Sequence, residues 1–247
     1  MQIIGEDKDV LWDELAAGLQ GSNPDAFIED MQKNGKLKEI LPEVDALFGV
    51  PQNAKYHPEI DTGRHTLMAL KKAQDLNGGL SVRFATLVHD LGKAATDPDH
   101  WPKHHDHEAL GVPLVENVSD RLGVPQDVKA LAVNVARFHL HAHRAMEMGP
   151  NKLVNLFEDI DALDNPESFE QFIVAVQADA QGRLGMEDKP YPQADFLRAT
   201  LKAAQEVDLS DILQEDTSDQ ITYDKIRQRR IEAVRSTKTE MQLDTLS

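Results

Sequence analysis

The sequence predicts an all-α protein on three observations. Apolar residues recur at helical spacing along most of the chain, with residues that favour helix caps at the ends of these runs. Alternating β-branched and aromatic runs flanking an Asn-Gly or Asp-Gly turn, which are typical of strands, are missing. The 247 residues, 40% of them hydrophobic, can bury a substantial core. Because such a fold needs no metal ion to hold it together, any metal site is expected to be functional.

The N-terminal part is predicted to contain three short helices, over residues 9–19, 23–33 and 37–47. Pro24 suits the first position of the second helix, because the amide of that position has no partner within a helix. A turn-rich connector over residues 49–63 follows. The sequence therefore separates an N-terminal helical segment from the rest of the chain near residue 50.

The middle and C-terminal parts are predicted to be helical between short loops. Ser81 is expected to cap the helix that carries His89 and Asp90, and Gly92 to end it. Pro113 is expected to start or kink a later helix. The predicted helices cover residues 64–77, 81–91, 106–121, 125–139, 152–163 and 166–181, with a loop over 97–105 and a polar helical tail from residue 197 whose last residues are frayed. We expect three segments: residues 1–50, a core over 51–195, and the tail over 196–247.

Composition limits the chemistry and the partners. The chain has no cysteine, so metal ligands must be imidazoles and carboxylates, which suit zinc, manganese, nickel, iron, cobalt or magnesium. The net charge of −17 disfavours a general nucleic-acid coat, although a local basic groove remains open. Neither a signal peptide nor an apolar run of membrane-spanning length is found, which favours a soluble, cytoplasmic protein without a membrane partner. A small phosphorylated substrate fits this balance best, and a homo-oligomer remains open.

Nine of the ten histidines lie between His65 and His143, and the centre of this window holds a His-Asp doublet. His89 and Asp90 stand inside the apolar run Leu87-Val88-His-Asp-Leu91. Burying a carboxylate or an imidazole without a partner costs several kcal/mol, so the doublet should belong to a hydrogen-bond network or hold a cation. The density of further histidines favours a cation.

Other polar residues occupy the apolar faces of their helices. His139 continues the buried face at i+4 from Val135, and Asp179 takes the next position on the stripe of Phe169, Phe172, Ile173 and Val176. His107 shares a face with Leu110 and Leu114, and His65 lies one turn before Met68 and Ala69. Six inward residues on five helices would be satisfied together by a shared cation: His65, His89, Asp90, His107, His139 and Asp179.

A single inward histidine is more often a hydrogen-bonded core residue than a metal ligand, and it is the set that favours a metal site. His57 is interpreted as a turn residue before Pro58. The loop histidines His100, His104 and His105 are expected to be solvated, although one could reach the site. Of the alternating histidines at 139, 141 and 143, only His139 is expected to point inward.

The order of the six inward residues, with the doublet in His-Asp-Leu-Gly-Lys, resembles the HD-domain metal-dependent phosphohydrolases. That family is marked by a first His, a His-Asp doublet and a late Asp, each on a different helix of an all-α bundle. The resemblance implies an HD phosphohydrolase core over residues 51–195, between the N-terminal helical segment and the C-terminal tail.

A closer resemblance covers residues 9–235 and is to the C-terminal, HD-containing half of the bacterial multifunctional CCA proteins, the tRNA nucleotidyltransferases of the HD-containing type. It rests on six stretches: 41–51, 55–63, 65–68, 82–87, 101–105 and 226–234. The N-terminal nucleotidyltransferase head of that family, with its Gly-Ser turn and paired metal-binding aspartates, has no counterpart in this sequence. We therefore do not expect this chain to add CCA to tRNA.

The resemblance implies metal-dependent phosphatase, 2'-nucleotidase and 2',3'-cyclic phosphodiesterase activities that use a metal-activated water. By position it implies one divalent ion, Mg, Mn, Ni, Co or Zn, held by His65, His89, Asp90 and Asp179. His107 and His139 would either hold a second ion bridged by Asp90 or contact the phosphate and relay protons. Plausible phosphate clamps, each alternatively a solvated or salt-bridged side chain, are Lys93, Arg64 and Arg137.

Three functions compete at this point. The first is a phosphohydrolase that acts on nucleotides or other small phosphoesters. The second is a tRNA-binding or structural body, which the acidic charge disfavours. The third, hydrolysis of guanosine tetraphosphate, belongs to HD relatives with an acidic pair shortly after the doublet, and residues 91–96 contain none.

Overall fold

The computed structural model describes residues 8–214 and 218–244, and over these residues the all-α prediction is confirmed. No strand occurs among them, and their extended pairing is limited to an isolated bridge between Pro51 and Asp61. Within the same residues, no helix combines the length and apolar character needed to cross a membrane. The residues at 245–247, for which fraying was expected, lie outside the described part.

Thirteen α-helices are found in the described residues. The first six are α1 (Lys8–Gln20), α2 (Pro24–Lys33), α3 (Lys36–Ile40), α4 (Pro42–Asp45), α5 (Thr62–Asp75) and α6 (Leu80–Val88). The other seven are α7 (His107–Leu122), α8 (Gln126–His143), α9 (Pro150–Asp159), α10 (Pro166–Gln181), α11 (Pro192–Gln205), α12 (Ser210–Leu213) and α13 (Asp219–Asp244). Short 3-10 helices cover Leu91–Ala95, Pro98–His100 and Ala145–Glu147.

Several predicted boundaries were wrong, for local reasons. The helix expected over residues 37–47 is divided into α3 and α4 before Pro42, which has no amide hydrogen to continue the ladder. Helix α6 starts at Leu80 after Gly79, so Ser81 is not its cap, and it ends at Val88, before Gly92. Helix α8 runs on to His143. Pro113 lies inside α7 and does not start it.

The chain divides into two compact units. The first unit contains the residues up to His139 together with Gln171–Pro190, and the second contains Leu140–Glu170 together with the residues from Tyr191 onward. The division into segments at residues 50 and 195 stays a prediction. All six residues singled out by the sequence lie in the first unit, so its packing positions the candidate site.

Close backbone contacts fix the site-bearing elements of the first unit. A Cβ on Gly92 would lie 1.9 Å from the carbonyl oxygen of His107, so only glycine lets the turn after the doublet pack against the start of α7. A Cβ on Gly182 would lie 2.3 Å from the Cα of Ala69, which brings the end of α10 against α5. The fully buried Phe84 of α6 packs edge-on against Trp12 of α1, and its burial contributes about 1.5–3 kcal/mol.

The second unit is organised by α9, α11 and α13, which pack against one another. Ile231 and Val234 of α13 are buried, although most of that helix is polar. The rings of Phe157 and Phe169 pack edge-on, with centroids 6.2 Å apart. The polar tail predicted from residue 197 therefore contains a buried apolar stripe.

Candidate metal centre

Five elements of the first unit bring the six inward residues together in a cluster that we call the polar cluster. The first turn of α5 carries His65, α7 begins at His107, α8 carries His139 and α10 carries Asp179. The doublet lies in the turn directly after α6. All six residues are buried, as the sequence predicted: His65, His89, Asp90, His107, His139 and Asp179.

The doublet is not on the helix, which corrects the sequence prediction. The His89 ring donates from Nδ1 to the carbonyl of Thr86 at 2.7 Å. In a continuing helix that carbonyl would accept from the amide of residue 90. The side chain thus replaces the backbone partner at the helix end and fixes the imidazole at the same time.

The prediction that His107 shares a buried helix face with Leu110 and Leu114 was also wrong in part. Leu110 is 40% exposed and Leu114 is half-buried. The buried face of α7 instead runs from His107 through Gly111 to Val115 and Val118, at steps of three and four residues. His107 is buried in either case, because it starts the true apolar face.

Nitrogen and oxygen atoms of the cluster lie at the separations expected for donors that share one ion. His65 Nε2 is 3.0 Å from Asp179 Oδ1, and His89 Nε2 is 3.2 Å from Asp90 Oδ2. On the other side of Asp90, Oδ1 is 3.5 Å from His107 Nε2 and 3.7 Å from His139 Nε2. Ligands about 2.1 Å from a common metal ion are themselves about 3–3.5 Å apart. Asp90 belongs to two such triads, with His65 and His89 and with His107 and His139.

The four imidazoles share one orientation. The Nδ1 atoms of His89, His107 and His139 each face a backbone carbonyl at 2.7–3.1 Å, and His65 Nδ1 lies 3.2 Å from a carboxylate oxygen of Glu59. At His107 and His139 the carbonyls place the proton on Nδ1 and leave the lone pair on Nε2. Protein ligands to metals are held by the same arrangement, with the far ring nitrogen donating to a carbonyl or carboxylate.

Hydrogen-bond acceptor atoms meet at the centre of the cluster. Nε2 of His107 and Nε2 of His139 lie 3.2 Å apart, so two acceptors face each other. His89 Nε2 and Asp90 Oδ1 are buried and have no hydrogen-bond partner. Because an unpaired buried polar atom is costly, the donor set fits a cation better than a closed hydrogen-bond network. Imidazoles and carboxylates without thiolates fit a divalent first-row metal or magnesium.

The protonation states of His107, His139 and Asp90 agree with this interpretation. Burial lowers the pKa of His139 well below its ordinary value, and it lowers the pKa of His107 as well, so both are neutral imidazoles at neutral pH. Burial disfavours ionised Asp90, but the charges of His89 and Lys93 outweigh it and lower the pKa of that carboxyl. Neutral imidazoles and ionised carboxylates are the forms that bind metals. Burial disfavours charged His89, but the charges of Asp90 and Asp179 outweigh it and raise its pKa to about 10, so His89 would release a proton when it binds a metal ion.

Lys93 is brought to the cluster, as the sequence suggested, and Gln52 accompanies it. The buried ammonium donates to Asp90 Oδ2 at 2.7 Å and to Gln52 Oε1 at 2.6 Å. Gln52 is itself buried, and its Nε2 has no partner. Gln52 could not be predicted from the sequence, because the connector over residues 49–63 has no helical periodicity that would indicate which side chains point inward.

Glu59 is a second residue that sequence reasoning missed. Its Oε1 lies 2.9 Å from His57 Nδ1 and 3.2 Å from His65 Nδ1, and its Oε2 accepts from the amide of Leu184 at 3.3 Å. Burial disfavours ionised Glu59, but hydrogen bonds from the two histidines lower its pKa well below the ordinary range. Glu59 thus orients His65, and His57, interpreted as a turn residue, contacts the same carboxylate.

Arg183 is the third missed residue, and its spacing was a usable signal. It follows Asp179 by four residues, and its Nη2 lies 3.3 Å from Asp179 Oδ1. Burial lowers the pKa of His57 to about 4, and the positive charges of Lys93 and Arg183 act in the same direction. Both cations therefore lie within electrostatic reach of the His57 ring.

The structure does not bring the other two predicted phosphate clamps to the cluster. Arg64 is exposed and pairs with Glu29 at 2.7 Å, since it lies one residue before His65 on α5 and faces another direction. Arg137 is exposed and its guanidinium lies over the ring of Phe138. Their role in binding phosphate stays a prediction that this geometry does not support.

The remaining histidines lie outside the cluster. His100, His105 and His141 are exposed, and the ring of His143 contacts the Tyr191 hydroxyl. His104 is half-buried: its ring bonds to Thr96 and to the carbonyl of Pro51, and its own carbonyl accepts from His107. His104 therefore supports the site through its backbone, and of the alternating histidines at 139, 141 and 143 only His139 is buried.

The fold and the polar cluster agree with a match between this sequence and a known protein family. Residues 62–166 match the HD domain, and they include five of the six cluster residues, all except Asp179. Over these residues the chain is thus similar to the HD domain.

Similarity to known proteins extends well beyond that domain. The chain is 44% identical to a multifunctional CCA protein of Hahella chejuensis over 91% of its length, which is 53% of the relative. It is 43% identical to that of Thioalkalivibrio sulfidiphilus over 93% of its length and 56% of the relative, and 46% identical to that of Teredinibacter turnerae over 80% and 48%. The chain spans about half the length of the curated relatives it matches, and the match includes their HD-containing part.

Proposed function

We propose that this chain is a metal-dependent phosphohydrolase that cleaves phosphomonoesters of nucleotides, their 2',3'-cyclic phosphodiesters, or both. The observation that carries the proposal is the polar cluster: four imidazole Nε2 atoms converge on two buried carboxylates, and His89 Nε2 and Asp90 Oδ1 have no partner. His65, His89, Asp90 and Asp179 would hold one divalent ion, and His107 and His139 with Asp90 could hold a second. When bound, such an ion supplies a Lewis acid that activates water near neutral pH and offsets charge on the phosphoryl oxygens.

The chain's own residues would orient the substrate and move the proton. Lys93, fixed by Asp90 and Gln52, presents a positive charge beside the cluster and attracts the phosphoryl oxygens. If His107 is not occupied by a second ion, it protonates the leaving 2' or 3' oxygen, since it is the more exposed of the facing pair. Because its pKa is lowered, the ring is neutral at neutral pH, so its Nε2 would first accept a proton from the attacking water and then pass it to the leaving oxygen.

The choice of substrate follows from charge and from the relatives. The net charge of −17 favours a small nucleotide over a duplex, because the long-range field repels polyanions. Similarity to multifunctional CCA proteins supports a nucleotide or an RNA-derived phosphoester. The oligomeric state and a cytoplasmic location stay predictions.

The test is a hydrolysis screen of the stripped chain reloaded with Mg, Mn, Ni, Co or Zn. The substrates are p-nitrophenyl phosphate, 2',3'-cyclic AMP, 2'-AMP and 3'-AMP. We expect at least one metal to support hydrolysis, and we expect Asp90→Ala to abolish it, with a loss of at least about a thousandfold. The matched control is Asp195→Ala, which removes an exposed carboxylate of the second unit.

Unchanged activity in the Asp90→Ala variant would refute the assignment. A chain that hydrolyses none of these esters under any metal, yet shifts tRNA in a gel over a salt series, would instead favour the tRNA-binding alternative.

A further inference from the structure

The polar cluster is least buried at one edge, which is formed by Lys93, His57 and Arg183. The side chains of His65, His89, Asp90, Asp179 and His139 are 0–3% exposed. Exposure rises to 9% for Lys93, 13% for His57 and 19% for Arg183, all of which contact the cluster or its supporting carboxylate. A substrate that reaches the cluster must pass these side chains, so their chemistry sets what the site accepts.

Hydrogen-bond donors without acceptors are concentrated at this edge. Gln52 Nε2 and Arg183 Nε are buried and have no partner. The ammonium of Lys93 has three N–H groups, and two of them are used by Asp90 and Gln52. The edge thus offers spare donors and two cations in a chain with 43 acidic and 26 basic residues.

At this edge the donors lie beside the two carboxylates of the cluster. Lys93 and Gln52 are on the side of Asp90, and Arg183 is on the side of Asp179, whose Oδ1 lies 3.0 Å from His65 Nε2. A tetrahedral oxyanion directs its oxygens in divergent directions and can accept from donors on both sides at once. The planar guanidinium of an arginine suits such an anion, because it can hold two oxygens. A cationic ligand would be repelled by Lys93 and Arg183 and would leave these donors unsatisfied.

We propose that Arg183 and Gln52, together with Lys93, bind the non-bridging oxygens of the substrate's phosphoryl group. The site then accepts phosphoesters whose phosphorus carries at least two free oxygens, which includes phosphomonoesters and 2',3'-cyclic phosphodiesters and excludes triesters. This inference rests on the proposed function, because it assigns the groups that hold the substrate of that same site.

A purely structural role makes a different prediction. If Arg183 only neutralises Asp179, its loss changes metal affinity and leaves the affinity for an anion unaltered once metal is bound. If Gln52 only fixes Lys93 within the fold, its loss lowers stability and has no separate effect on anion binding.

The experiment measures binding of orthophosphate to the metal-loaded full chain by calorimetry. The variants are Arg183→Gln, Arg183→Lys and Gln52→Met, each checked for metal content and for its circular dichroism spectrum. The matched control is Arg198→Gln, since Arg198 also pairs with a carboxylate, Glu170, but lies in the second unit.

We expect Arg183→Gln to weaken orthophosphate binding by at least about tenfold and Gln52→Met by about three- to tenfold, at unchanged metal content. Arg183→Lys should recover part of the affinity, since it keeps the positive charge but lacks the planar guanidinium that can hold two oxygens. It also keeps the inference testable if the glutamine variant does not fold. Arg198→Gln should bind as the unaltered chain does.

Two results would overturn the inference: an unaltered chain that binds no orthophosphate, or Arg183 variants that bind it as tightly as the unaltered chain. Hydrolysis is measured separately and keeps the two proposals distinguishable. Binding that depends on Arg183 without hydrolysis of any ester refutes the proposed function alone, whereas hydrolysis unaffected by Arg183→Gln refutes this inference alone.

Discussion

The polar cluster of the first unit and the arginines of the second unit differ in how their charges are matched. In the second unit two arginines each meet a carboxylate near the surface: Arg198 lies 2.8 Å from Glu170, and Arg227 lies 3.1 Å from Glu158. In the polar cluster, carboxylates and imidazoles are buried together, and atoms such as His89 Nε2 and Asp90 Oδ1 have no partner. Ion pairs at the surface contribute little to stability, but each charged group in such a pair has a partner.

This difference indicates what each region is for. A protein gains no stability by burying facing lone pairs, and apolar residues of similar volume would stabilise the same position better. The cluster therefore makes physical sense as a binding site whose last partner is a cation, whereas the arginine pairs make sense as parts of the fold. Each prediction below changes one member of this comparison.

The largest expected effect is on the stabilisation that a metal provides. At a free metal concentration of 100 times its Kd, binding to the folded chain contributes about 2.7 kcal/mol, which raises the midpoint of thermal unfolding by roughly 5–10 °C for a chain of this size. His89→Asn should abolish that rise, because it removes a ligand whose lone pair has no other partner. Thermal unfolding with and without a chelator measures this rise in the unaltered chain and in the variant.

The matched control for this measurement is His141→Asn, which changes an exposed histidine outside the cluster. It should keep the full metal-dependent rise. A rise that survives in His89→Asn would show that the ion binds elsewhere.

A smaller effect is expected from the carboxylate that orients His65. Glu59→Gln keeps the shape of the side chain but removes the charge that holds the proton on His65 Nδ1, so metal affinity should fall by about 10- to 100-fold. The measurement is a metal titration by calorimetry. Glu43→Gln is the control, since Glu43 also forms an ion pair, with Arg121, and should titrate like the unaltered chain. Equal affinities for both variants would contradict the orienting role of Glu59.

Helical periodicity explains which parts of the site could be predicted from the sequence. His139 and Asp179 occupy positions where an apolar stripe continues, so their burial followed from spacing alone. The position of the doublet in the turn after α6 could not be predicted, because it depends on a hydrogen bond from the His89 ring to a backbone carbonyl. Gln52 and Glu59 come from an irregular connector, where only the packed structure decides which side chain turns inward. Predicted helix boundaries were wrong for similar local reasons, for example at Pro42 and Gly79.

The smallest effect is expected in the second unit. Arg227→Gln removes the half-buried partner of Glu158 and should lower the free energy of unfolding by no more than about 1 kcal/mol. The loss should shrink at high salt, since screening already weakens such a pair in the unaltered chain, and metal affinity should not change. Denaturant unfolding at low and high ionic strength measures both free energies. A loss of several kcal/mol that persists at high salt would show that this ion pair behaves as a buried one, and the contrast with the polar cluster would then rest on its unpartnered atoms alone.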